Sequence, residues 1–360
     1  MTNKKDDKVH VLMCGSKLNV KGGMVTVTNN YLTFNQWEKY QISYIPTHVE
    51  RNKVIVSLYF LGSLIRIVPI LVFQDIDIIH MHTAERGSFY RKSILARIGK
   101  QFGAKVIMHH HAAYFDEFYQ GLTGHRKMLV DRTLDLVDVN LVLSKKLVPM
   151  IRNKAPHASV EVLYNATETQ EKNPYSLHAK TVLFLGRLGV RKGVYDLIEA
   201  IKQLDSIIDP EITFALCGDG EVQDVQQRIA SLHLEHRISH LGWVGKKDKE
   251  KILLKTMIHV LPSYNEGLPM SILETMSYGI PNISTNIASI PEVILHNKNG
   301  LILEAGDIRE LSKHLLVLIS DSELRKKFSD ASYNLVKERH SLESNIQKLK
   351  GIYDQVLKYS

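Results

Sequence analysis

Short apolar runs alternate with longer segments of helical period along nearly the whole chain. The short runs suit buried strands and the longer segments suit helices that cross between strands. Such alternation is typical of parallel sheets covered by helices, so the pattern predicts an α/β fold. The strands predicted in the first half are residues 9–14, 41–46, 76–80, 105–109, 139–143 and 160–163, with helices at 23–37 and 88–102.

The alternation starts again at residue 181 and runs to the end of the chain. In this half the predicted strands are 181–185, 213–217, 238–241, 259–261 and 281–284, and the predicted helices are 308–320, 322–337 and 341–357. Two Rossmann-like domains in tandem, at 1–168 and 169–340, are therefore expected, with a last helix at 341–360 that packs back on the first domain. A polar stretch at 165–178 is the predicted linker. Parallel sheets bind ligands at the carboxyl ends of their strands, so the chemistry is sought in those loops.

One apolar segment, residues 54–73, is long enough to span a bilayer. Gly62, Arg66 and Pro69 interrupt it, and a predicted strand follows it directly. A helix that is buried, or that lies in the membrane interface, is therefore favoured over a membrane span.

The two halves of the chain differ in net charge. Of the 46 Lys and Arg and 38 Asp and Glu, residues 1–170 hold 22 and 14, whereas residues 171–360 hold 24 of each. Basic surfaces attract anionic lipid headgroups or phosphorylated substrates. No zinc-finger spacing and no ribonucleoprotein motif is present, so a nucleic-acid partner is not expected. A membrane surface or a lipid diphosphate is the favoured partner, and a merely solvated basic surface is the alternative.

The N-terminus is polar and charged, which predicts no signal peptide. Cys14 and Cys217 lie far apart in apolar runs, which fits a reducing compartment rather than a disulfide framework. A cytoplasmic protein is expected, peripheral on the inner face of the cell membrane if the basic half binds lipid.

Gly186-Arg187-x4-Lys192-Gly193 follows the predicted strand at 181–185. Two cations next to a helix N-terminus form a site for a diphosphate, because guanidinium, ammonium and backbone N–H groups all bind anionic oxygen. The loop is not a Walker motif. A solvated basic loop is the alternative.

Glu266-x7-Glu274 follows the predicted strand at 259–261. Pro269 suits the first turn of a helix that Gly279 ends, which places Glu274 in the second turn. Carboxylates accept hydrogen bonds from sugar and ribose hydroxyls, but two glutamates alone fit a solvated pair equally well.

The two motifs stand in order with CGDGE at 217–221, LGWVGKKDKEKILL at 241–254, PSYNEGLP at 262–269 and GIPNISTN at 279–286. This series resembles the retaining GT-B glycosyltransferases of family four over essentially the whole chain. The resemblance implies two Rossmann-like domains whose parallel sheets face each other across a cleft. It implies that Arg187 and Lys192 neutralise the diphosphate of a nucleotide-sugar donor, that Glu274 holds the ribose hydroxyls and that Glu266 contacts the transferred sugar.

The same resemblance assigns further donor contacts. Backbone groups around Gly267, Leu268 and Met270 bind sugar hydroxyls and phosphate, and Val244 borders the base. In the first half, Gly22 and Gly23 before a predicted helix allow close backbone approach to the diphosphate.

The run His109-His110-His111-Ala112 resembles the family's H-x-H-G turn, in which His111 faces the transferred sugar. Ala112 replaces the glycine of that turn. With His80 and His82 nearby, a zinc site is an alternative, but the family works without a metal and no metal or other cofactor is expected. The run Ser88–Lys92 is a candidate for an acceptor phosphate, with a solvated helix start as the alternative.

The expected activity is transfer of a hexose from a UDP- or GDP-sugar, with retention, to a saccharide acceptor, favoured as lipid-diphosphate-linked, in polysaccharide biosynthesis. The alternative is a non-catalytic partner subunit of a glycosyltransferase complex. A phosphorylase or epimerase shares the fold, and a dinucleotide oxidoreductase is disfavoured because the loop after the first strand lacks G-x-G-x-x-G.

Overall fold

A computed structural model describes residues 8–112 and 114–358. The chain divides into two compact units. One comprises the described residues up to Asn165 and those from Asn345 onward, and the other is Ala166–Ser344. Residues 1–7, which include most of the charged N-terminus, lie outside the described residues.

The first unit contains one parallel sheet of six strands in the order β2-β1-β3-β4-β5-β6. Its strands are β1 (Val9–Ser16), β2 (Tyr40–His48), β3 (Ile78–Thr83), β4 (Lys105–His110), β5 (Val139–Val142) and β6 (Val160–Val162). The connecting helices are α1 (Gly23–Thr33), α2 (Lys53–Phe73), α3 (Gly87–Gln101), α4 (Phe115–Gln120), α5 (Gly124–Leu136) and α6 (Val148–Arg152), with a 3-10 turn at Lys145–Leu147. The central strands are buried because helices cover both faces of the sheet.

The second unit contains another parallel six-stranded sheet, ordered β12-β11-β10-β7-β8-β9. Its strands are β7 (Thr181–Leu185), β8 (Thr213–Cys217), β9 (Ile238–Gly242), β10 (Thr256–Leu261), β11 (Asn282–Thr285) and β12 (Gly300–Leu303). Its helices are α7 (Val194–Leu204), α8 (Val222–Ser231), α9 (Lys246–Leu254), α10 (Met270–Ser277), α11 (Ile290–Val293), α12 (Ile308–Ser320) and α13 (Ser322–Arg339), with 3-10 turns at Val190–Lys192 and Glu235–Arg237.

The last helix, α14 (Leu342–Lys358), returns to the first unit, as the predicted fold requires. Tyr31 of α1 donates to Asn345 Oδ1 at 2.8 Å, and the Tyr40 hydroxyl donates to the carbonyl of Lys350 at 3.1 Å. These contacts fix α14 beside α1.

Two predicted features differ from the structure. Strand β12 was not predicted, because its four residues lie between polar loops. The helix predicted at 23–37 ends at Thr33, where Phe34 becomes extended and the Trp37 indole donates to the Tyr31 carbonyl. The polar stretch predicted as the linker, 165–178, begins at the boundary between the two units, and its Tyr175 hydroxyl donates to the carbonyl of Met257 within the second unit.

Helix α2 is not amphipathic, because both of its faces are largely apolar. Phe60, Ser63, Ile67 and Leu71 are buried on one face, and the Ser63 hydroxyl donates to the carbonyl of Pro46. The opposite face remains exposed. In the described chain, α2 is the one helix long and apolar enough to cross a membrane by length and composition, although the core helix of a globular protein can pass the same test.

Candidate active site

The loops that follow β7 and β10 lie side by side, because these two strands are neighbours in the second sheet. The backbone N–H of Tyr264 donates to the carbonyl of Arg191 at 2.9 Å. Gly193 has φ +72°, and a Cβ there would lie 2.0 Å from the carbonyl oxygen of Pro262. Only glycine permits this approach, which brings the predicted cationic loop against the predicted glutamate loop.

Lys192 and Glu266 form an ion pair between these two loops. Their side chains are 15% and 7% exposed, so the pair is largely removed from solvent. The Ser263 hydroxyl donates to the same carboxylate oxygen of Glu266 at 2.8 Å. A positive group, a carboxylate and a hydroxyl therefore meet at the carboxyl ends of two adjacent strands, where parallel sheets bind ligands.

Arg187 lies on the same loop as Lys192 but on the side of β8. It is exposed, and its Cγ is 2.9 Å from the position that a Cβ on Gly220 would occupy. In the described part of the chain Arg187 has no ion-pair partner, so its charge is available for an anion.

Glu274 lies in the second turn of α10, as the sequence predicts, and Gly279 follows the helix with φ +67°. Its carboxylate accepts from Lys249 Nζ of α9 at 2.9 Å, and the side chains are 16% and 29% exposed. Glu274 is therefore paired with a lysine of a neighbouring helix rather than with Arg187 or Lys192.

The start of α10 carries the remaining predicted donor contacts of the glutamate loop. Leu268 and Met270 are buried, Gly267 is half-buried, and the helix begins directly after Pro269. Proline has no side-chain acceptor that could cap the helix, so the first backbone N–H groups are available to an anionic or hydroxyl ligand. Val244, after β9, is half-buried against the apolar cluster around Cys217 and Ile280.

In the first unit, Gly22 precedes α1 with φ +139°, a conformation that favours glycine, and Gly23 is the first residue of the helix. A Cβ on Gly22 would meet no atom within 4 Å. The loop is therefore open on the side to which a Cβ of Gly22 would point.

His111 directly follows β4 and is half-buried beside a cluster of buried imidazoles on β3 and β4. His82 Nδ1 and His111 Nε2 are 3.0 Å apart, His80 Nε2 and His109 Nδ1 are 3.3 Å apart, and His80 Nδ1 lies 2.6 Å from the hydroxyl of Tyr353. Burial lowers the pKa of His80 and of His111 to about 3. These imidazoles are therefore neutral near pH 7, and His111 interacts as a hydrogen-bonding group rather than as a cation.

Nitrogens of His80, His82 and His109 also lie within 4.8 Å of one another, a spacing that could hold a metal ion. Metal independence thus stays a prediction.

Two residues of the site were not predicted. Ser263 stands three residues before Glu266 in the quoted motif, so the spacing could have indicated its contact. Lys249 is one lysine of the run at 246–251, and the sequence offers no signal that separates it from its neighbours.

Comparison with known proteins shows that the chain is similar to glycosyltransferases. The model of the family described as glycosyl transferases group 1 matches residues 165–335. The chain is 25% identical over 299 residues to the N-acetyl-alpha-D-glucosaminyl L-malate synthase of Bacillus anthracis, covering 79% of this chain and 76% of that protein. It is 25% identical over 332 residues to the UDP-Gal:alpha-D-GlcNAc-diphosphoundecaprenol alpha-1,3-galactosyltransferase of Escherichia coli, covering 86% of this chain and 82% of that protein.

Among solved structures, HepE of Anabaena in complex with UDP superimposes with a TM-score of 0.76 at 15% identity, covering 96% of this chain and 100% of that one. At this identity the likeness is one of fold.

Proposed function

We infer that the chain is a glycosyltransferase with the GT-B fold, because residues 165–335 match the family described as glycosyl transferases group 1. We propose that it transfers a hexose from a nucleoside-diphosphate sugar with retention of anomeric configuration. The acceptor proposed is a hydroxyl of a lipid-diphosphate-linked saccharide in polysaccharide assembly.

The observation that carries the donor proposal is the meeting of Lys192, Glu266 and Ser263 beside the start of α10, with Arg187 exposed on the same loop. Two cations and the N-terminus of a helix that no residue caps through its side chain suit a diphosphate, and the carboxylates suit sugar hydroxyls. In this structure the Glu266 carboxylate is paired with Lys192. A diphosphate that binds beside Lys192 replaces Glu266 as the partner of the ammonium. The Glu266 carboxylate then accepts a hydrogen bond from a hydroxyl of the sugar.

In the proposed reaction the bond between the anomeric carbon and the diphosphate oxygen breaks, and the bond to the acceptor oxygen forms on the same face. The departing diphosphate takes the acceptor proton. Arg187 and Lys192 stabilise the negative charge that grows on the diphosphate, which is the kind of electrostatic stabilisation that accounts for large rate effects in enzymes.

One of the two relatives supports the acceptor proposal, whereas the name of the Bacillus anthracis relative gives L-malate as the acceptor. The name of the Escherichia coli relative gives a UDP-sugar donor and a diphosphoundecaprenol-linked acceptor. The excess of Lys and Arg in residues 1–170 agrees with an acceptor that carries a diphosphate.

Proton NMR of the product tests the reaction. Incubation with UDP- and GDP-hexoses and a sugar linked to an alkyl diphosphate is expected to release the nucleoside diphosphate and to form a glycoside with the anomeric configuration of the donor. An inverted product would refute retention, and no transfer from any of these donors would refute the activity.

We also propose that the first unit binds the inner face of the cell membrane through α2. Val54, Leu58, Leu61, Ile65 and Val72 recur at helical spacing and are between 51% and 69% exposed. Residues 51–74 contain three cations, Arg51, Lys53 and Arg66, and no Asp or Glu. A second copy of the chain would bring these cations against each other, whereas an anionic bilayer supplies the opposite charge. The buried face of α2 keeps the helix in its unit, so it lies in the interface rather than crossing it.

Co-sedimentation with phosphatidylglycerol vesicles tests this docking. Leu61→Glu and Ile65→Glu are each expected to weaken vesicle binding at least about tenfold, because a charge replaces an apolar group in the interface. Ile207→Glu, at a residue that is 61% exposed in the second unit, is the matched control and should bind like the unaltered protein. Equal binding by all variants, or a dimer that Leu61→Glu dissociates without loss of vesicle binding, would contradict the proposal.

A further inference from the structure

A second group of basic side chains, separate from the donor loops, lies in the first unit where β1, β2 and β3 end. It consists of His48 at the end of β2 and of Arg91 and Lys92 in the second turn of α3. The proposed donor chemistry uses none of these residues.

Lys92 is the most unusual member, because its side chain is almost fully buried at 1% exposure. Its Nζ donates to Thr47 Oγ1 at 2.5 Å, and the Thr47 hydroxyl donates in turn to the carbonyl of Gly15 at 3.0 Å. An ammonium has three N–H donors, and among the described residues one acceptor faces it. Buried lysines are ordinarily paired with a carboxylate, but in the described chain Lys92 forms no ion pair. Burial of an ammonium that no carboxylate compensates lowers the pKa of Lys92 to about 7.

Among the neighbours of Lys92, the Arg91 guanidinium increases the positive potential and His48 is a neutral imidazole. Burial and the charges of Arg91 and Lys92 lower the pKa of His48 to about 4. Cys14, which is buried close to Lys92, is a neutral thiol because burial raises its pKa to about 12. The group therefore lacks a negative partner among the residues that face it in the described structure.

The Nε atom of Arg91, the residue next to Lys92, is also buried and lacks a hydrogen-bond partner in the described structure. Buried polar atoms are almost always paired, so an unpaired donor next to a buried ammonium with one acceptor indicates a missing acceptor. The start of α3 adds the positive end of its helix dipole to the same place. An anion with several oxygens would satisfy all of these groups.

We propose that Arg91, Lys92 and His48 form a binding site for the phosphate groups of the diphosphate-linked acceptor. This inference rests on the proposed function for the identity of the acceptor, but the need for an anion follows from the first unit alone. A bilayer headgroup offers the same phosphate chemistry. The acceptor diphosphate is favoured because the key ammonium is buried, whereas headgroups contact exposed cations.

Steady-state kinetics with two acceptors tests the site. One acceptor is N-acetylglucosamine linked to an undecyl diphosphate, and the other is the undecyl glycoside of the same sugar. Arg91→Gln and Lys92→Met are each expected to raise the KM for the diphosphate acceptor by about ten- to a hundredfold, the usual effect of losing a charge-assisted hydrogen bond. The KM for the undecyl glycoside and for the donor should not change.

Arg126→Gln removes an exposed positive charge from the same unit and is the matched control, with an unchanged KM for both acceptors. Arg91→Gln decides the matter if Lys92→Met does not fold. An unchanged KM for the diphosphate acceptor in Arg91→Gln, or an equal rise for both acceptors, would overturn the site. If Arg91→Gln instead loses binding to phosphatidylglycerol vesicles without a change in KM, the phosphate belongs to a lipid headgroup. That result would also overturn the acceptor site. If the unaltered protein uses neither acceptor, the proposed function fails, and this result is distinct from a failure of the site.

Discussion

Arg187→Ala is expected to lower turnover by a factor of about 10²–10³ and to leave the unfolding temperature unchanged. The guanidinium is exposed and in the described chain has no ion-pair partner, so its removal breaks no contact that supports the fold. Its proposed partner is the diphosphate, whose negative charge grows as the sugar leaves. The loss should therefore appear mainly in kcat, measured with saturating donor and acceptor.

Arg191→Ala is the matched control, because Arg191 is an exposed cation on the same loop. Among the residues that the structure describes, its guanidinium contacts the carbonyl of Asn265, at 3.5 Å. This variant should keep turnover within a few-fold of the unaltered protein. If Arg187→Ala and Arg191→Ala lose turnover equally, the loop acts through its overall charge, and the specific role of Arg187 is wrong.

The second large effect is expected at the ion pair of Lys192 and Glu266. Substitutions there should change both turnover and stability, and a double variant should tell the two effects apart. Lys192→Met leaves the buried carboxylate of Glu266 with only the Ser263 hydroxyl, and we expect a loss of about 3 kcal/mol in the free energy of unfolding. That loss corresponds to about 6 °C or more in unfolding temperature for a unit of this size. Turnover should fall by hundreds-fold as well, because the diphosphate loses its second cation.

The double variant Lys192→Met/Glu266→Gln distinguishes the role of Lys192 as the partner of Glu266 from its role as a cation for the diphosphate. Without the carboxylate no buried charge remains unpaired, so the double variant should unfold at a higher temperature than Lys192→Met, while turnover stays low. Simple addition of the two single losses in stability would show that the pair is not coupled. Recovery of turnover in the double variant would show that Lys192 serves only to balance Glu266.

The sequence predicts the fold well because its signals are local. Each run of apolar residues in a parallel sheet is buried on both faces, so β7 and β8 are found with the predicted bounds. Pro269 marks the start of α10 and Gly279 marks its end, and both signals are local in the sequence. Together they place Glu274 in the correct turn of the helix. Strand β12 has no such signal, since four apolar residues between polar loops also fit a turn.

The side-chain partners within the site follow from three-dimensional packing that no local pattern encodes. The contact of Lys192 with Glu266 depends on β7 and β10 being neighbours in the sheet, and this order is set by the fold of the whole unit. The pairing of Glu274 with Lys249 and the burial of Lys92 have the same origin. For α2, composition predicts a buried or interfacial helix, but only the structure shows that one apolar face is covered and the other exposed.

The central claim is that the loops after β7 and β10, with the start of α10, hold the diphosphate and ribose of a nucleotide-sugar donor. A crystal structure of the protein with bound UDP or GDP tests it most directly. We expect diphosphate oxygens within hydrogen-bonding distance of Arg187 and of Lys192 Nζ, and the ribose hydroxyls at the carboxylate of Glu274. A nucleotide bound elsewhere, with the ion pair between Lys192 and Glu266 intact and Arg187 still in solvent, would contradict the account.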